Sequence, residues 1–95
     1  MTAYLLAEID IHDATTYERY RARTPELVAR FGGRFLVRGG APEWLEGRGA
    51  GRLVVIAFPS REAARRFWQS PEYRELAELR HAAAQSRVVL LDGIE

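Results

Sequence analysis

The stretch Gly32-Gly33-Arg34-Phe35-Leu36-Val37-Arg38-Gly39-Gly40 constrains the fold more than any other, being a short apolar run with an arginine at each end and a glycine pair on each side. Glycine pairs admit positive φ and close backbone approach, so the first pair can end a preceding helix and the second can release the chain within two residues. The run between them reads as a buried strand with a polar mouth, Arg38 standing at its exit. The remaining elements are expected to pair with this strand or to cover it.

Before it, residues 4 to 11 alternate, with Leu5, Ala7, Ile9 and Ile11 on one face and Tyr4, Leu6, Glu8 and Asp10 on the other, which predicts a first strand. Asp13 is a good N-cap, and Tyr17, Tyr20, Thr24, Leu27, Val28 and Phe31 then recur at steps of three and four, one stripe of a helix that ends at Gly32-Gly33. Pro25 lies inside that helix. It removes a backbone donor and crowds the previous turn, so a kink or break is expected around Arg23 and Thr24.

Beyond the glycine-bracketed strand, Ala41-Pro42 turns the chain and Glu43-Trp44-Leu45-Glu46 reads as a short extended piece, an edge element or a strand continuation. Residues 47 to 51 hold three glycines and read as a flexible loop. A phosphate cradle there would need a lysine and a following helix. Arg52 to Phe58 is a strand apolar on both faces. Ser60 caps a helix whose buried stripe is Ala63, Ala64, Phe67 and Trp68. Ser70-Pro71-Glu72 starts another at once, with Tyr73, Leu76, Ala77, Arg80 and Ala83 on its face. Arg87 to Asp92 is the last strand, again apolar on both faces.

The order strand, helix, strand, strand, helix, strand is that of a ferredoxin-like α+β sandwich, two helices covering one face of a four-stranded antiparallel sheet, in a single domain over residues 1–95. The uncovered face is apolar in two strands, so it should be buried by something else, and a second copy of the chain is the simplest cover. A homodimer packed sheet to sheet is therefore expected.

Composition narrows the chemistry. Hydrophobic residues at 47% and charged residues at 28% are globular values and argue against disorder. Cysteine is absent, which excludes disulfides, a thiol nucleophile and thiolate metal sites, and suits a reducing cytoplasm. All 14 basic residues are arginine, so a Schiff-base lysine is impossible. Thirteen acids interleave with them for a net charge of +1, without the segregated basic face of a nucleic-acid domain. No apolar stretch approaches the ~20 residues of a membrane span, and no leader pattern opens the chain, so neither membrane nor nucleic acid is an expected partner. There is no metal-ligand cluster, nucleophile elbow or dinucleotide fingerprint, so no metal and no cofactor is expected. His12, beside the cap, and His81, off the apolar stripe, read as ordinary surface residues.

Tyr17 and Tyr20, the Gly32 to Gly40 run, Glu46-Gly47, Phe58-Pro59-Ser60, and Trp68-Gln69-Ser70-Pro71-Glu72-Tyr73 with Arg80 together resemble the domain of unknown function 1330 family, over almost the whole chain. The resemblance implies the dimeric α+β barrel superfamily, whose members include cofactor-free monooxygenases, isomerases and haem enzymes. It implies no single activity. The chain departs from the family pattern at Ala57, where a glutamate often precedes the Phe-Pro pair, and in the loop 47 to 51, which lacks an aromatic residue. If that glutamate pairs with a pocket arginine, its loss leaves surplus positive charge and room for an anion.

Six residues stand out as ligand-binding candidates. Tyr17 and Tyr20 on the helix stripe serve either the core or a ligand, and Arg38 is either a solvated strand end or a guanidinium held for a carboxylate. Glu46 suits a salt bridge to Arg38 better than a general base. Arg80 places its stem on the core and its head toward a pocket or interface, and Trp68 reads chiefly as core. Three functions stay open: a domain that binds a small anionic or aromatic molecule between sheet and helices, with or without cofactor-free catalysis; a dimeric module with purely structural polar residues; and RNA binding on the sheet face, which needs exposed aromatics in the central strands, where Phe35 and Phe58 are the candidates.

Overall fold

The computed structural model describes residues 1–95 and contains four strands and three helices: β1 (Ala3–Ile11), α1 (Ala14–Arg30), β2 (Arg34–Arg38), β3 (Arg52–Phe58), α2 (Arg61–Gln69), α3 (Pro71–Ala83) and β4 (Ala84–Asp92). The strands form one antiparallel sheet in the order β2-β3-β1-β4. The fold is ferredoxin-like α+β, with the helices on one face.

The helix starts lie where capping chemistry puts them. Asp13 accepts the Thr16 N–H at 3.1 Å, and Ser60 accepts that of Ala63 at 3.0 Å. Ser70 serves two helices: its hydroxyl donates to the Phe67 carbonyl at the end of α2 and accepts the Tyr73 N–H at the start of α3. Leu5, Ala7 and Ile9 of β1 face the helices and join Val54, Ile56 and Phe58 of β3 in a core with Tyr17, Leu27, Val28, Phe67 and Leu76. No helix is long and apolar enough to cross a membrane.

Four expectations need correction. The Gly32 to Gly40 run is not the buried centre of the sheet. It forms the edge strand β2, with four of its five residues exposed, and the two central positions belong to β3 and β1. A run of three apolar residues looks alike in either place. Here Phe35 turns inward, while Leu36 and Val37, displaced by a register shift between Phe35 and Val37, lie open at 44% and 45% exposure. Second, α1 runs unbroken through Pro25. The carbonyl that loses its helical donor is that of Arg21, and Arg38 Nη2 donates to it at 2.6 Å, while the Thr24 hydroxyl adds a bond to the Tyr20 carbonyl at 2.6 Å. Third, residues 43 to 46 form no strand; Gly39 and Gly40 at φ of 80° and 102° turn the chain off the sheet edge. Fourth, β4 begins at Ala84, three residues before Arg87, because the long β1 continues to pair: Ile11 with Ala84, Asp10 with Gln85 and Ile9 with Ser86.

The second face of the sheet is uncovered. Tyr4 and Leu6 of β1 lie beside Val55 and Ala57 of β3 and beside Val89 and Leu91 of β4, the last two each 47% exposed. Phe58 is buried on the helix side and Phe35 packs against the same core, so neither supplies the exposed sheet aromatic that RNA binding requires.

Gly33 tests the join of α1 to β2. A Cβ there would come within 2.7 Å of Phe58 Cε1 and 2.8 Å of Val28 Cγ1, both in the tightest part of the core. Gly33→Ala is expected to lower stability in urea unfolding by about 1 to 3 kcal/mol, the range for overpacking.

Candidate functional site

A cleft lies between the inner face of the sheet and helices α1 and α3, and its walls follow from three helical stripes. The spacing of Tyr17, Tyr20 and Thr24 brings them onto one side of α1; Tyr73 and Arg80, two turns apart, come from α3; Trp68 ends α2 beside them. Leu5, Ala7 and Ile56 form part of the floor. The space at the centre is about 30 Å³. That holds one or two water molecules, so a larger guest requires the side chains at the mouth to swing aside.

Arg80 is the unusual member. It is 5% exposed, its Nε is buried without a hydrogen-bond partner, and it forms no ion pair. Its guanidinium carbon lies 5.7 Å from the Trp68 ring and 5.9 Å from the Tyr20 ring, so aromatic faces supply part of its compensation. Burial works against its charge, but the Tyr73 and Tyr20 hydroxyls outweigh that, and its pKa lies above the ordinary arginine value. Those two hydroxyls share a 2.8 Å hydrogen bond across α1 and α3. Burial, then the neighbouring Tyr73, pushes the Tyr20 phenol well above its usual range.

Three more arginines line the outer wall. Arg52 donates from Nε to the Tyr17 hydroxyl at 3.1 Å, with its guanidinium carbon 5.3 Å from that ring. Arg38 stacks 4.8 Å over Phe35 and is tied to the Arg21 carbonyl. Burial first, and then repulsion by Arg21 and Arg52, lowers the Arg38 pKa. Arg21 is paired with Glu18 at 3.0 Å, but Arg38, Arg52 and Arg80 have no carboxylate partner, and no aspartate or glutamate lines the cleft. Four guanidinium groups thus surround an aromatic space whose wall contains no acid.

Of the six residues singled out in the sequence, Arg38, Tyr17, Tyr20, Trp68 and Arg80 come together here. Glu46 does not: it is exposed in the loop after β2, and the expected ion pair with Arg38 is replaced by the Arg21 carbonyl. Ala57 also lies elsewhere. It sits opposite Tyr4 and Arg34 on the uncovered face, so a glutamate at this position would point away from the cleft, and the surplus charge inside does not arise from its loss. Sequence reasoning missed Arg52, Arg21 and Tyr73 as wall residues. For Arg52 the signal was present, since it shares a strand face with Val54 and Ile56. His12 is exposed, and His81 lies 3.6 Å from Glu78 on the outside of α3.

This fold and cleft define a ferredoxin-like α+β protein with an arginine-lined pocket beneath its helices. The model of the family described as "Domain of unknown function (DUF1330)" matches residues 2–94, and the chain belongs to that family. Among solved structures it is similar to RPA0582, a protein of unknown function from Rhodopseudomonas palustris, at 21% identity over 99% of this chain and 83% of that one, with a TM-score of 0.81. It is also similar to SnoaB, a cofactor-independent oxygenase from Streptomyces nogalater, at 21% identity over 99% and 94% of the two chains, with a TM-score of 0.67. A putative antibiotic biosynthesis monooxygenase from Caulobacter crescentus matches at 14% identity over 99% and 91%, with a TM-score of 0.64. At these identities the likeness establishes the fold and leaves the chemistry to the residues. No protein of curated function matches the sequence.

The raised pKa of Tyr20 carries a pH dependence. The folded protein disfavours the phenolate, so the contribution of this group to stability is complete below about pH 10, the unfolded value, and is lost as pH rises beyond it. Melting temperatures measured from pH 8 upward should fall more steeply in the wild type than in Tyr20→Phe, which starts lower through loss of one hydrogen bond, worth about 1 kcal/mol.

Proposed function

We propose that this chain binds a small anionic aromatic molecule in the pocket between sheet and helices. The observation that carries the reading is Arg80, a buried guanidinium among aromatic rings with no carboxylate beside it. A carboxylate or phenolate would supply the missing counter-charge, and its ring would lie against Tyr20, Tyr73 and Trp68. Any chemistry would proceed without a bound cofactor, as the description of SnoaB as a cofactor-independent oxygenase suggests by analogy of fold alone. The alternative is a non-catalytic module. The small central space and the internal bonds of Arg38, Arg52 and Tyr20 favour it.

Thermal shift separates the two. Benzoate should raise the melting temperature where phenol and benzyl alcohol at equal concentration do not, since a bond to a charged partner is worth ~1.5 to 3 kcal/mol. Arg80→Met should remove the response without lowering the unliganded melting temperature, because an unpaired buried cation is replaced by an apolar chain of similar length. Equal shifts for benzoate and its neutral analogues would leave the module.

The same proposal includes a homodimer, formed through the uncovered sheet face. Val37, Val55, Val89 and Leu91 would leave water there at roughly 25 cal/mol per Å² of buried apolar surface. Light scattering at micromolar concentration should report a dimer. Val55→Arg or Val89→Arg should give a monomer or an unfolded chain, and a well-folded wild-type monomer would end this part of the reading.

A further inference from the structure

Pro25 is the proline inside α1, and its consequence reaches the pocket. Any other residue at 25 would donate its N–H to the carbonyl of Arg21, four residues back. Proline has no N–H, and its ring crowds that carbonyl away from the helix axis. The freed carbonyl is nevertheless paired, by Arg38 Nη2 at 2.6 Å, from the edge strand β2. The pairing resolves a conflict. Arg38 stands close enough to Arg21 and Arg52 for both to disfavour its charge, and it emerges from an exposed strand at the rim of the cleft, so repulsion alone would send its side chain into solvent.

We propose that Pro25 is a positioning residue of the pocket. By stripping the Arg21 carbonyl of its helical donor, it creates an acceptor that holds the Arg38 guanidinium at the mouth, and the remaining N–H groups of that guanidinium meet the anionic group of an incoming ligand. A guanidinium has five donors in a planar fork; the carbonyl takes one N–H of Nη2 and leaves the others free. The inference rests on the pocket being an anion site. It adds that the mouth is organised by a defect in the helix and not by an acidic partner such as Glu46.

The test is a double-mutant cycle read by calorimetric titration with benzoate. Pro25→Ala restores an N–H that competes with Arg38 for the carbonyl, and Pro25→Ser does the same with a different side chain. Both suit a helix interior better than proline, so the melting temperature should hold or rise. Benzoate affinity should nonetheless fall roughly three- to tenfold in each, at most the worth of one charged hydrogen bond. In an Arg38→Ala background the same Pro25 substitutions should cause no further loss, whereas a merely structural effect of the helix would persist there. Unchanged affinity in Pro25→Ala and Pro25→Ser, or an equal loss with and without Arg38, overturns the inference. Arg80→Met separates this failure from failure of the pocket reading. If benzoate binds the wild type and Arg80→Met abolishes it while the Pro25 variants bind normally, only the positioning role falls. If the wild type takes up no benzoate, both fall together.

Discussion

The register of β1 against its two neighbours decides what the rest of the molecule can be. Leu5 stands between Ile56 and Leu90, Ala7 between Val54 and Val88, and each trio faces the helices. A slip of one residue on either side would exchange the two faces of the neighbouring strand. Arg52 would leave the cleft and Ala57 would enter it. The nine residues of β1 are therefore the reference that assigns every side chain of the sheet to the helical layer or to the bare face, and the arginine-lined wall depends on that assignment as much as the core does.

Much of this was legible in the amino-acid pattern. Caps at Asp13, Ser60 and Ser70 were readable because a short polar side chain before an apolar stripe has few other uses, and the α1 and α3 stripes placed Tyr17, Tyr20 and Arg80 on inward faces. The position of β2 was not readable, since an edge strand and a central strand of five residues carry the same apolar signature and differ in who their neighbours are. The unbroken α1 was also hidden: its proline is accommodated by a side chain that arrives from Arg38, and no local rule anticipates a non-local donor. Ala57 was misplaced through a supposed partner, although strict alternation from Arg52 puts it opposite the pocket side.

The pocket is assembled at some expense to the fold. A guanidinium removed from water without a carboxylate is normally disfavoured, and here it is offset by two aromatic faces and the oxygen atoms of a tyrosine pair. The tyrosine pair also bridges α1 and α3, so the group that sustains the charge of Arg80 is the same one that fastens the helical layer. The proposed binding and the architecture would draw on shared atoms, which is why conservative variants such as Tyr20→Phe are more informative at this site than truncations.

The absence of lysine has a consequence for how such a cavity meets its surroundings. The wall holds no histidine, aspartate or glutamate; its titratable groups are arginines and tyrosines, and burial holds Tyr20 all the more firmly in its neutral phenol form. Between acid and mildly alkaline solution the protein side of the encounter keeps a constant charge. If the proposed anion binds here, protonation of the visitor is the variable that remains, and the pocket would read which ionic form a small molecule has adopted in the medium around it.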